Sequence, residues 1–88
     1  MKEIKIRLLT MDGTDHEIET PLDLRVKDFI IEVAIALGLP MNDVEGDPIS
    51  WRLDNKSTGK MLIRDQTLGE NHVREGQTLI LVRSTMAG

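Results

Sequence analysis

The sequence predicts an α+β domain in which a mixed sheet of four to five strands packs on one long α-helix. Three observations carry that prediction. Ile4, Ile6 and Leu8 alternate with Lys5, Arg7 and Leu9 at the start of the chain, the period-2 pattern of a strand with one face in a core. Val26, Phe29, Ile30, Val33 and Leu37 recur at spacings of three and four, which puts them on one face of a helix over residues 25–37. A second regular apolar strand, Thr78 to Arg83, comes at the end. A lone amphipathic helix can bury its stripe only against one face of a sheet. The first and last strands are expected side by side at its centre.

The remaining elements follow in order. Asp12-Gly13 supplies turn chemistry, so His16 to Thr20 is expected to return as a short polar hairpin strand, ended by Pro21. Asp23 and Asp28 sit near the helix start, where carboxylates complement the dipole. Gly38 suits the left-handed position that closes a helix, and Pro40 prevents continuation. Ile31 and Ile35 lie off the main stripe and are expected to be either extra core or a partner surface. Residues 41–48 read as an acidic loop. Ile49, Trp51 and Leu53 then form a strand with Trp51 half buried, and residues 55–60 form a turn. Met61 to Ile63 is expected as a short strand, Glu70 to Val73 as one turn of tight helix, and Arg74-Glu75-Gly76 as the turn into the last strand. The division is a domain over residues 1–83 and a flexible tail over 84–88.

Composition bounds the function. Eighty-eight residues make one domain, and the absence of cysteine removes disulfides, thiolate metal sites and cysteine nucleophiles. A net charge of −4 with one Trp and one Phe offers neither a basic footprint nor a stacking platform, so nucleic acid is not expected as a partner. No apolar run approaches the roughly 20 residues that span a bilayer, and the amino terminus lacks the apolar stretch of a signal peptide. The expected location is the cytoplasm, without membrane insertion, as a monomer.

Candidate chemistry fails on spacing. Asp43, Glu45 and Asp47 alternate like ligands of a hard cation but lack the following bidentate Glu of a calcium loop. Thr58-Gly59-Lys60 lacks the upstream Gly of a phosphate loop, and Met61 stands where a hydroxyl residue is needed. His16 and His72 are far apart, and Ser50, Ser57 and Ser84 have no nucleophile-elbow context. The reading is no enzyme, no cofactor and no metal.

A collinear set of short motifs resembles ubiquitin and its relatives, the β-grasp family, over almost the whole chain. Gly38-Leu39-Pro40 is similar to the Gly-Ile-Pro at the family's helix exit. Gly59-Lys60, Leu62 and Thr67-Leu68 match in order and spacing, and Thr78-Leu79-Ile80-Leu81-Val82 is similar to the family's final strand. The resemblance implies that Ala87 and Gly88 fall where modifiers of this family carry Gly-Gly, so Gly88 would be the conjugation residue. In such proteins a terminal Gly carboxylate is adenylated, then transferred to a thiol or made a thiocarboxylate. Ser84 and Met86 stand where ubiquitin has Arg, which implies a dedicated activating enzyme. Met11 matches the family's loop Leu, so Met11, Ile80 and Val82 would resemble its apolar recognition patch. Lys60 resembles a chain-acceptor position.

Two functions are therefore expected from the resemblance. The first is a covalent protein modifier or sulfur carrier, with activating and conjugating enzymes, a peptidase and target proteins as partners. The alternative is a non-conjugated β-grasp interaction subunit, similar to the ubiquitin-like components of type VII secretion systems. The five residues beyond Arg83 favour the first, and the wide apolar helix favours the second.

Overall fold

The structure, a computed structural model, describes residues 3–84. The chain runs β1 (Glu3–Leu9), β2 (Asp15–Pro21), α1 (Val26–Ala36), β3 (Ser50–Asn55), β4 (Lys60–Met61) and β5 (Thr78–Ser84). The strands form one sheet in the order β2-β1-β5-β3-β4. β1 and β5 are neighbours at its centre, as expected, and run parallel with Leu9 opposite Ile80. The hairpin β1–β2 and the pairs β3–β5 and β3–β4 are antiparallel.

The alternation in the sequence decides which side of the sheet is covered. Ile4, Ile6 and Leu8 of β1, Leu53 of β3, and Leu79 and Leu81 of β5 are buried on the inner side. Val26, Phe29, Ile30, Val33 and Ala34 of α1 are buried against them. Leu62, Leu68 and Val73, from the segment between β4 and β5, complete the same core. Each fully buried aliphatic side chain of this kind contributes about 1.5–3 kcal/mol, so a short chain without staples depends on this one layer.

The helix is just over three turns, and its ends are closed by the backbone. Arg25 is the N-cap residue and makes no side-chain capping bond. The first free N–H groups instead donate to loop carbonyls, Val26 to Gln66 at 2.9 Å and Lys27 to Arg64 at 3.2 Å. Asp28 lies in the first turn, where its charge suits the dipole, while Asp23 lies outside the helix. At the far end Leu39 N–H donates to Ala34 O at 2.8 Å and Gly38 N–H to Ile35 O at 3.2 Å, with Gly38 at φ 69°. That is a Schellman closure, which requires a left-handed residue and explains the glycine.

The segment after β4 departs from expectation. β4 is only Lys60–Met61, so of the short strand expected over Met61 to Ile63 both Leu62 and Ile63 lie outside it. Glu70 to Val73 is a set of turns rather than a tight helix. Thr67 N–H donates to Glu70 Oε1 at 2.8 Å and Glu70 N–H to Thr67 Oγ1 at 3.0 Å, a reciprocal pair that normally opens a helix. His72 then takes a left-handed φ of 62°, with His72 N–H on Gly69 O and Val73 N–H on Leu68 O, both at 3.0 Å. This is the closing motif that also ends α1, applied one turn after the start. The segment is capped at both ends with no helix between.

Candidate functional site

With the inner side of the sheet filled by α1, the outer side is what the molecule presents. Alternation along the strands sends Lys5, Arg7 and Leu9 of β1, Thr78, Ile80 and Val82 of β5, and Arg52 and Asp54 of β3 to this side. The register sets Ile80 between Leu9 and Asp54, and Val82 opposite Arg52. Leu9, Ile80 and Val82 are half-buried.

Met11, on the turn after β1, joins this strip. It is 64% exposed, and Arg83 N–H donates to Met11 Sδ at 3.1 Å, which fixes the thioether beside the end of β5. The turn that carries it is held by backbone bonds from Gly13 to Thr10 and from Thr10 to Thr14, both at 3.0 Å. Asp12 reinforces it: its Oδ1 accepts the Thr10 hydroxyl and the Thr14 N–H. Those partners, the Thr10 hydroxyl first and then the Thr14 hydroxyl and N–H, lower the Asp12 carboxyl to about 2. Hydrogen bonds to the charged form favour ionisation, so Asp12 carries a fixed negative charge beside the strip.

The structure thus brings Met11, Ile80 and Val82 together, as the resemblance implied. It adds Leu9, which the sequence reading treated only as an outward position of β1 and not as part of a patch. The missing information was the parallel pairing of β1 with β5, which no local pattern contains. The strip is bordered by an ion pair, Arg52 Nε to Asp54 Oδ1 at 3.2 Å. Apolar centre and charged border match the layout of a protein-recognition surface.

The other candidate positions separate from this strip. Lys60 is exposed on β4, beyond β3 at the sheet edge. Ser84 is the last residue of β5, opposite Ser50. Met86, Ala87 and Gly88 lie outside the described residues. Ile31 and Ile35 are 45% and 71% exposed, which removes the extra-core alternative for them. The alternating carboxylates of the 41–48 loop serve the loop itself, since Asp43 Oδ1 accepts the N–H groups of Glu45 at 2.9 Å and Asp47 at 3.0 Å. Among the described residues, no group of three or more acidic or histidine side chains is placed to hold a metal ion, and no helix is long and apolar enough to cross a membrane.

A five-stranded mixed sheet in this order, wrapped on one helix, defines the ubiquitin-like β-grasp class, and solved structures agree. The chain is similar to a designed protein based on ubiquitin, with a TM-score of 0.74 and 20% identity, over 97% of this chain and 93% of that one. It is similar to Caldiarchaeum subterraneum ubiquitin, with a TM-score of 0.71 and 22% identity, over 99% of this chain and 100% of that one. The UBL domain of Plasmodium falciparum Dsk2 gives a TM-score of 0.73 and 26% identity, over 94% of this chain and 100% of that one. No curated protein sequence matches closely enough to count as a relative. Within this class the chain belongs to the YukD family, whose model, described as protein YukD of the WXG100 protein secretion system (Wss), matches residues 4–81. Such domains bind or modify proteins and are not enzymes.

Proposed function

We propose that this protein is a non-conjugated, protein-binding subunit of a WXG100 secretion system, with the strip of Leu9, Met11, Ile80 and Val82 as its docking face. The observation that carries this reading is the family match over residues 4–81. The structure supports it physically. The core is a single rigid layer, so the outer strands hold their side chains in a fixed array, and a preordered surface loses little entropy on binding. The strip is apolar at its centre and bordered by the Arg52–Asp54 ion pair, a layout suited to another protein. The test is removal of the protein from its own cells and measurement of WXG100 protein in the culture medium. Export should fall on removal and return when the protein is resupplied. Export that continues unchanged without the protein contradicts the reading.

A second reading, a covalent modifier or sulfur carrier activated at Gly88, rests on the small residues Ala87 and Gly88 beyond β5 and on the likeness of the fold to ubiquitin. Here Ser84 and Met86 would contact the activating enzyme and Lys60 would accept a further modifier. Peptide mass spectrometry of the protein from its own cells separates the two. An isopeptide, ester or thiocarboxylate at Gly88 establishes activation, whereas an unmodified Gly88 supports the subunit reading.

A further inference from the structure

A small cleft lies at the end of the sheet where β1 stops. β1 ends at Leu9, opposite Ile80, while β5 runs on to Ser84 beside β3. Beyond the end of β1, the 10–12 turn, the helix exit and the paired strands β3 and β5 enclose a cavity of about 200 Å³, lined by Thr10, Met11, Asp12, Leu39, Trp51 and Leu81. Its walls are held in place. Trp51 Nε1 donates to Pro40 O at 3.2 Å, which uses the polar edge of the ring and leaves the rest of it apolar. Leu39 is fixed by the closure of α1, through its N–H on Ala34 O at 2.8 Å. Met11 Sδ accepts the Arg83 N–H, and Asp12 Oδ1 accepts the Thr10 hydroxyl and the Thr14 N–H. The cleft is therefore preformed, with Met11, Leu39, Trp51 and Leu81 as its apolar sides. Its volume lies below the roughly 300–1,000 Å³ of small-molecule sites and suits a single side chain.

We propose that Met86, which lies outside the described residues, places its side chain in this cleft, with the chain folding back from the end of β5. Chemistry, place and reach select it. The walls are mainly apolar, and among Thr85, Met86, Ala87 and Gly88 only Met86 carries a large apolar side chain. An unbranched thioether also adapts its shape to an irregular gap. Arg83 pairs with Trp51 and Ser84 with Ser50, so the chain leaves the sheet beside one wall of the cleft. Two residues beyond Ser84 extend roughly 7 Å at most, which keeps Met86 at this end of the molecule. A partner's side chain is the competing occupant, but Met86 is tethered and so is present at a high effective concentration. Ordering the residues that carry Met86 costs about as much as burying one thioether gains, so the contact opens readily. While it is closed, the cleft beside Met11 is shut to partners, and an enzyme that needs the carboxyl end extended has to displace Met86 first.

The experiment uses the full chain, labelled with nitrogen-15 throughout and with carbon-13 at the methionine methyl groups. The Met86 methyl, assigned by its absence from Met86→Leu, should lie away from the random-coil position and show nuclear Overhauser contacts to the Trp51 ring and to Leu39. Met86→Asp should move the Trp51 indole N–H and the amides of residues 10–12 and 39, and leave those of β2 where they were. Met86→Leu keeps an apolar side chain and should hold these signals near their original positions. Both substitutions fall outside the buried core, so the other amide signals report that the fold is intact. A Met86 methyl at the random-coil position without contacts, or a Trp51 indole signal indifferent to Met86→Asp, would overturn the proposal and leave the cleft to a partner's side chain. Contacts from Met86 to Ile80 or Val82 in place of Trp51 would overturn it as well, since they put the tail on the docking strip.

Discussion

Asn55 ends β3, is 1% exposed, and ties three segments together. Its Oδ1 accepts the N–H groups of Ser57 at 2.9 Å and Thr58 at 3.3 Å, while its Nδ2 donates to Gln77 Oε1 at 3.0 Å. Gln77 Oε1 in turn accepts the Arg74 N–H at 2.8 Å. The turn into β4 and the turn into β5 therefore share one polar side chain. Asn55→Ala should lower stability by about 2 kcal/mol in urea unfolding, because it leaves several partners unpaired at a buried site. Asp12 makes a different prediction, of pH dependence. Its folded value of about 2 lies below the ordinary 3.8, so its contribution to stability is fully present above about pH 4 and is lost as pH falls through 2. The stability difference between the protein and Asp12→Ala, followed by thermal unfolding, should be constant from pH 7 to 5 and shrink toward zero near pH 2. A difference that stays constant down to pH 2 contradicts the hydrogen-bonded turn. Neither residue was legible as a network in the sequence: Asp12-Gly13 announced a turn, but Asn55 and Gln77 meet only because β3 and β5 pair.

At the scale of the element, helix α1 shows both how far pattern reaches and where it stops. Its buried positions Val26, Phe29, Ile30 and Val33 were readable from spacing alone, since period 3.6 admits one inward face. Leu37, on the same stripe, became the C-cap and is half-buried. Ile31 and Ile35 were ambiguous because both core and interface select apolar residues; the structure places them outward. Ile30→Ala should therefore cost about 2–5 kcal/mol, the range for deleting a buried aliphatic side chain. Ile35→Ala should change stability by less than about 0.5 kcal/mol, as for an exposed surface position. Equal and large losses at both positions would show that Ile35 packs in the core. The short strand and the tight helical turn between residues 61 and 73 were misjudged for a physical reason. Thr67 and Glu70 carry helix-opening chemistry, and the left-handed His72 that stops it at once has no side-chain signal comparable to glycine.

For the whole molecule, the fold was legible because its parts agree. Two apolar strands, one amphipathic helix and the motifs Gly38-Leu39-Pro40 and Thr67-Leu68 point to a single architecture, and such consistency across levels is what specifies one structure. Function was less legible, since a fold of this kind hosts both modifiers and interaction subunits. The candidate strip was half visible: Ile80 and Val82 followed from alternation and Met11 from resemblance, while Leu9 and the border of Arg52 and Asp54 needed the sheet order.

The central claim is that this chain acts through the outer face of its sheet and not through a reactive carboxyl end. The measurement that tests it most directly is export of WXG100 protein from cells whose only copy of this chain is either Ile80→Lys or a form lacking residues 85–88. Ile80→Lys suits this use because its stem can lie along the strip with its charge beside Asp54, so the thermal unfolding profile should stay close to that of the parent. The account predicts that Ile80→Lys lowers export to the level seen without the protein, while the shortened chain supports it normally. Normal export with Ile80→Lys and none with the shortened chain would contradict it and assign the function to the residues beyond Ser84.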